Sequence, residues 1–195
     1  MNDSFVSRKD RIISSAIEII SDSGLSSLTT HNLALKENMS DALLYRYFGS
    51  INEVLVEVVD YYARFDDSIR QTVSAKQVTN IQKIKDYFEA YATYYENYYA
   101  ISTLMLQYEE LLHNADTREK ITKCITERQL FLEELFDKAI AEHEITTLFS
   151  GFDLATQVTG VLMAYILKRR IVYIKTTFKQ EFMGFLNKWF ELIAI

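Results

Sequence analysis

Proline is absent from this 195-residue chain, and glycine occurs only five times. Proline removes a backbone donor and breaks helix interiors, so a chain without it is free to run in long unbroken helices. The single cysteine, Cys124, excludes an intramolecular disulfide. It lies inside a helical pattern, where an inert structural thiol is expected. Histidine is scarce as well: His31, His113 and His143 stand in three separate regions, and Glu142-His143-Glu144 lacks metal-ligand spacing. There is no phosphate-binding glycine loop and no serine elbow. No catalytic residue, no metal and no cofactor is therefore expected. Long hydrophobic runs are also missing. GVLMAYIL at 160–167 is too short to span a bilayer. The apolar start is broken by Ser14, Ser15 and Glu18, so no signal peptide is expected there. A cytoplasmic protein with no membrane partner is expected. Basic charge is not in surplus either, and the net charge of −6 excludes a general nucleic-acid coat protein.

What remains is apolar and punctuated. Hydrophobic residues make up 49% of the chain, enough for a real core at this length. The densest punctuation lies at residues 24–55, GLSSLTTHNLALKENMSDALLYRYFGSINEVL. Upstream, Ile13, Ala16, Ile17 and Ile20 fall at i, i+3, i+4 and i+7, one stripe of a helix. Gly24 ends it. Thr29 offers an N-cap hydroxyl to a second helix whose inward positions are Leu33 and Ala34. Asn38 marks a turn, because asparagine tolerates the left-handed conformation. Ser40 caps a third helix, with Asp41 in its first turn and Leu44 and Phe48 sharing an inner face. Gly49 closes it, and Ser50-Ile51-Asn52-Glu53 reads as a capping box opening a fourth. Two short helices joined by a tight turn form the helix-turn-helix layout, in which the second enters the DNA major groove.

This run resembles the DNA-binding region of the tetracycline-repressor (TetR) family. Gly24, Thr29, Thr30, Ala34, Ser40, Leu44, Tyr45, Tyr47, Phe48 and Glu53 fit the family pattern in order and spacing. The resemblance covers about a quarter of the chain. It implies an all-α protein, with an N-terminal three-helix helix-turn-helix DNA-binding domain over 1–50 and a C-terminal helical effector-binding and dimerisation domain over 51–195. It implies a ligand-responsive transcriptional regulator, most often a repressor, acting as a homodimer on a palindromic double-stranded DNA operator. Three positions depart from the pattern. Asn38 replaces the usual glycine, Ile51 stands where a phosphate-gripping lysine is frequent, and Asp41 stands where a neutral or basic residue is common. Over residues 1–55 five lysines and arginines face seven carboxylates. DNA-binding faces are usually basic. The alternative reading is therefore a helical ligand-binding or protein-interaction module that has lost DNA binding.

Within the helix-turn-helix, the positions facing away from Leu44 and Phe48 are the DNA candidates: Ser40, Asp41, Ala42, Leu43, Tyr45, Arg46 and Tyr47, joined by Thr30 and His31 at the start of the second helix. Arg46 suits a guanine edge or a phosphate, and Ala42 and Leu43 suit thymine methyls.

Beyond residue 50 the pattern is helical throughout, with helices expected near 51–73, 80–99, 100–113, 116–143, 153–174 and 177–193. The last two are apolar around most of their circumference, which requires burial on two sides. One side is assigned to a partner subunit, with Leu162, Ile166, Phe182, Phe185 and Trp189 at a homodimer interface. Thirteen tyrosines and twelve phenylalanines exceed ordinary packing needs. Tyr91, Tyr94, Tyr98, Met105, Tyr108, Phe131 and Met163 are expected to line a pocket for a small lipophilic or aromatic effector. The cluster Lys168, Arg169, Arg170, Lys175 and Lys179 is expected chiefly to complement a helix C-terminus.

Overall fold

The structure, a computed structural model, describes residues 7–172 and 175–195. Those residues form ten α-helices and no β-strand, and a lone bridge pairs Ile145 with Ala194. None of the described helices is long and apolar enough to cross a membrane. The chain divides into two compact units. One holds the described residues up to Ala63 together with Ala100–Thr122, and the other holds Arg64–Tyr99 and Lys123–Ile195. This division does not follow a boundary at residue 50, because 51–63 and 100–122 group with the N-terminal helices.

In the first unit, helix α1 (Arg8–Ser23) opens with a full capping box between Ser7 and Asp10. It buries Ile12, Ile13, Ala16, Ile17 and Ile20, as its periodicity requires. Each such isoleucine contributes roughly 1.5–3 kcal/mol when fully buried. Gly24 leaves the helix at φ +84°, a left-handed value that favours glycine. Thr29 caps α2 (Thr30–Lys36) by accepting from Asn32 N at 3.2 Å. Asn38, at φ 54°, then closes α2, and Met39 N donates back to Ala34 O at 2.9 Å. Ser40 caps α3 (Asp41–Leu44) by accepting from Leu43 N.

The expected third helix is shorter than its sequence pattern. After Leu44 the turns tighten, with Arg46 N bonded to Leu43 O and Tyr47 N to Leu44 O. The tightened turn still delivers Phe48 to the interior beside Leu44. Helix α4 (Ile51–Ser74) starts with half of the expected box. Ser50 Oγ accepts from Glu53 N at 3.1 Å, but the Glu53 carboxylate reaches one residue further back, to Gly49 N at 2.6 Å.

The expected 100–113 helix is broken into α6 (Tyr99–Ser102), a 3-10 turn over Thr103–Gln107 and α7 (Tyr108–His113). The Thr103 hydroxyl donates to Ala100 O at 2.7 Å and competes with the helical ladder there. Helix α8 (Arg118–Ala141) follows and continues into the second unit. Along α4, Asn52 accepts from Asn114 Nδ2 at 2.9 Å and donates to Asp116, while Asp60 pairs with Lys120 at 2.7 Å.

The second unit contains α5 (Asn80–Asn97), most of α8, α9 (Gly151–Ile171) and α10 (Phe178–Glu191). Residues 173 and 174, which end the expected 153–174 helix, lie outside the described residues. Helices α5 and α10 pack through Phe88 on Phe182 and Tyr95 on Phe178, with ring centroids 5.5 and 5.7 Å apart. Just past the end of α8, His143 takes φ 57° and Glu144 N bonds back to Ala139 O. Glu142-His143-Glu144 is thus a helix end. Its second carboxylate has a further job. Glu144 accepts from Asn80 N at 2.9 Å and Ile81 N at 2.8 Å, capping the start of α5. At the start of α9, a Cβ on Gly151 would lie 2.6 Å from Glu133 O, so only glycine lets α9 approach α8 this closely.

Candidate functional site

The helix-turn-helix candidates are placed by the inward residues on either side of them. Leu33, Ala34, Leu44 and Phe48 are buried, which turns their neighbours outward. His31, Ser40, Asp41, Ala42, Tyr45 and Arg46 are exposed, and Thr30, Leu43 and Tyr47 are half-buried. Thr30 Oγ1 and the Tyr45 hydroxyl lie 3.3 Å apart, joining the start of α2 to the turn after α3.

The acidic tally of this region changes once pairing is considered. Glu37 accepts from Ser15 Oγ at 2.6 Å and from Arg11 at 3.4 Å, tying α1 to α2. Glu18 pairs with Lys36 at 2.8 Å. Asp10 and Glu53 serve as caps. Lys9 sits over the Phe48 ring, 5.2 Å from its centroid. Most of the carboxylates therefore work within the unit, and Arg46 is an exposed cation among the outward positions of α3 and its following turn.

The expected dimer residues separate into two groups. Leu162, Ile166 and Phe182 are at most 3% exposed and belong to the core of their own chain. They have no surface left for a partner, so their assignment to an interface is corrected. Phe185 and Trp189 are half-buried. The outward row of α9 is Phe152, Gly160, Ala164, Leu167 and Ile171, all exposed.

The seven expected effector residues are divided between the two units. Met105 is buried in the first unit, and Tyr108 there pairs its hydroxyl with that of Tyr62. Phe131 packs against Tyr87 at 5.5 Å, and Met163 is half-buried on α9. Tyr91 is fully buried and engaged in polar contacts. Aromatic residues at helical spacing here mostly form core. Tyr94 and Tyr98 line a groove of about 450 Å³ along α5.

Beneath that groove lies a buried ionic network that aromatic periodicity gave no hint of. Asp66 Oδ1 accepts from Tyr87 at 2.9 Å, Tyr91 at 2.7 Å and Arg128 Nε at 3.0 Å. Its second oxygen accepts from Arg70 Nε at 3.1 Å, and Arg70 reaches on to Glu127 at 2.9 Å. Burial acts to raise the Asp66 pKa, but Arg128 and the two tyrosine hydroxyls hold it below its ordinary value. Cys124 stands nearby on α8, its thiol pushed up to about 11 by burial. A sequence signal for the pair does exist. Asp66 falls in the inward stripe Val58, Tyr62, Ile69, Val73 of α4, and Arg128 in the stripe Ile121, Cys124, Leu132, Leu135 of α8. Opposite charges on the buried faces of two long helices are expected to meet.

The groove above is built from α5 outward. Asp86, Glu89, Ala90, Thr93, Tyr94 and Asn97 recur at helical spacing along it, and Phe65 and Ile69 of α4 form one wall. The Phe65 and Tyr94 rings stack with centroids 3.3 Å apart, and Tyr98 continues the row 4.9 Å from Tyr94. Lys76 is paired with Asp86, and Lys179 with Glu89 at 2.8 Å. Within the basic cluster, the guanidinium of Arg169 donates to Thr176 O at 3.2 Å, and that of Arg170 lies over the Tyr99 ring.

Residues 12–58 match the family model of bacterial regulatory proteins, tetR family. No curated protein sequence matches the chain. Among solved structures, the chain is similar to the ketosteroid transcriptional regulator KstR2 of Mycobacterium tuberculosis, with a TM-score of 0.87 at 13% identity over 98% of this chain and 97% of that one. It is similar to AibR, solved with isovaleryl coenzyme A and operator DNA, with a TM-score of 0.78 at 17% identity over 93% and 97%. It is similar also to the regulator FadR from Bacillus subtilis, solved with stearoyl-CoA, with a TM-score of 0.71 at 17% identity over 93% and 95%. At such identities the likeness is one of fold.

Proposed function

We propose that this chain is a TetR-type transcriptional regulator, a homodimeric repressor released from a palindromic operator by a small lipophilic effector, a reading supported by its N-terminal family match and its fold. The observation that carries the DNA-binding reading is the outward face of the helix-turn-helix. His31, Ser40, Asp41, Ala42, Tyr45 and Arg46 are exposed together while Leu44 and Phe48 anchor them from inside. Arg46 contacts a base edge or a phosphate, Thr30, Ser40, Tyr45 and Tyr47 position the backbone, and Leu43 and Ala42 meet thymine methyls.

Two copies present two such faces to successive major grooves. Their contact is assigned to the outward row of α9 with Phe185 and Trp189 of α10. Gly160 and Gly184 are open on their outer sides, which allows close helix approach. The acyl-CoA ligands of AibR and FadR support a lipophilic effector class. Such an effector acts through its differential affinity for the DNA-bound and released states.

Fluorescence anisotropy with labelled DNA flanking the protein's own coding region tests this reading. Saturable binding at physiological salt, with unrelated DNA binding at least a hundredfold more weakly, is expected. Equal affinity for both DNAs would leave the helical module without DNA recognition as the better description.

A further inference from the structure

We propose that the groove along α5 binds a flat, uncharged, polycyclic aromatic molecule. Its volume of about 450 Å³ suits a small organic ligand, since such sites span roughly 300–1,000 Å³. The shape selects flatness. Ala90 and Thr93 contribute short side chains to the lining, and Phe65, Tyr94 and Tyr98 contribute a row of rings. Tyr98 ends that row and is 59% exposed, so one more ring extends the stack and removes apolar surface from water.

The charges select neutrality. Lys76 and Lys179 are each closed by a carboxylate, Asp86 and Glu89. An anion has to draw Lys179 away from Glu89, and a cation has to draw Glu89 away from Lys179. An uncharged ring system leaves both pairs intact, and Thr93 and Asn97 offer it hydrogen-bonding groups. The wall is also held in place before any ligand arrives. Phe65 packs edge-on against Tyr91, with centroids 5.9 Å apart, and Tyr91 is fixed by Asp66. Preorganisation of this kind lowers the entropy cost of binding.

Titration calorimetry of the full chain without DNA, using flavone as the probe, tests the site. One flavone per chain with micromolar affinity is expected. Tyr98→Ala and Ala90→Phe, which remove the end of the stack and fill the floor, should each weaken binding about tenfold or more. The anion naphthalene-2-sulfonate should bind about tenfold more weakly than flavone. Circular dichroism checks that the variants keep their helicity, and Tyr98→Ala decides alone if Ala90→Phe unfolds. No flavone binding to the wild-type protein, unchanged binding to folded Tyr98→Ala, or equal affinity for the sulfonate would overturn the proposal. Because no DNA is present, any of these failures leaves the DNA-binding reading where it stood.

Discussion

Arg128 Nε lies 3.0 Å from Asp66 Oδ1, and neither side chain is more than 3% exposed. Removing one partner of such a pair strands the other charge in a low-dielectric interior, at a cost of about 3–5 kcal/mol. Arg128→Met should therefore lower the urea midpoint strongly, as should Asp66→Leu. The double variant should recover part of the loss, since two apolar side chains need no counter-charge. A double variant no better than the worse single one would show that the tyrosine hydroxyls, left without their acceptor, dominate the penalty.

The same carboxylate sets an acid limit. Its folded pKa is lowered, so between the unfolded value of about 3.9 and the folded one the unfolded chain binds more protons. The stability it contributes is fully present above that unfolded value and is lost as pH falls through the folded pKa. Cys124 works in the opposite direction. Its folded pKa of about 11 lies above the ordinary thiol value of about 9.0, so its contribution is present below 9 and is lost as pH rises through 11. Acid denaturation followed by circular dichroism should shift to higher pH in Arg128→Met. Ellman's reagent at pH 8 should label Cys124 only in denaturant.

Glu144 is joined to α5 across more than sixty residues of sequence by two backbone amides. Glu144→Ala should cost about 1–2 kcal/mol, at the upper end for a helix cap, because the acceptor is charged. Chemical denaturation measures it. Glu144→Gln, which keeps one acceptor oxygen, should cost less.

Operator binding depends on Arg46 in the proposed reading. Arg46→Ala should weaken binding by about 1–3 kcal/mol in an anisotropy titration without altering the melting temperature, since the side chain is exposed. Unchanged affinity in the folded variant would remove Arg46 from the contact face.

The dimer has a milder test than charging its buried residues. Leu167 is 49% exposed and Ile171 73% exposed, one turn apart on the outer side of α9. Leu167→Glu with Ile171→Glu should leave helicity intact and yield monomers in sedimentation at micromolar concentration. A wild-type protein that is itself monomeric there would defeat the homodimer and the two-half-site operator with it.

Much of this architecture was legible in the chain. Helix ends marked by Gly24, Thr29, Asn38 and Ser40 appear at those places, because caps act through neighbouring backbone and are local chemistry. The broken 98–107 region was not legible. Its apolar spacing suited a helix, and the Thr103 hydroxyl bond to Ala100 competes at a scale that periodicity does not resolve. Aromatic spacing likewise did not separate core from pocket, since Tyr91 and Tyr94, three residues apart, have opposite fates. Nor did apolar spacing tell which side of α9 faces its own core. Leu162 and Leu167 sit on one apolar helix, yet one is sealed and the other exposed.

The pairing of Arg11 and Lys36 with Glu37 and Glu18 has a thermodynamic consequence. Cations already neutralised within the unit release few ions from the DNA atmosphere, and the logarithm of affinity falls with log salt at about 0.9 per phosphate neutralised. Operator affinity should then vary gently with ionic strength. Discrimination among sites would rest on short-range fit by Thr30, Ser40, Leu43 and Tyr45 around one arginine, and the protein would retain its operator in saline conditions that strip a strongly basic repressor from DNA.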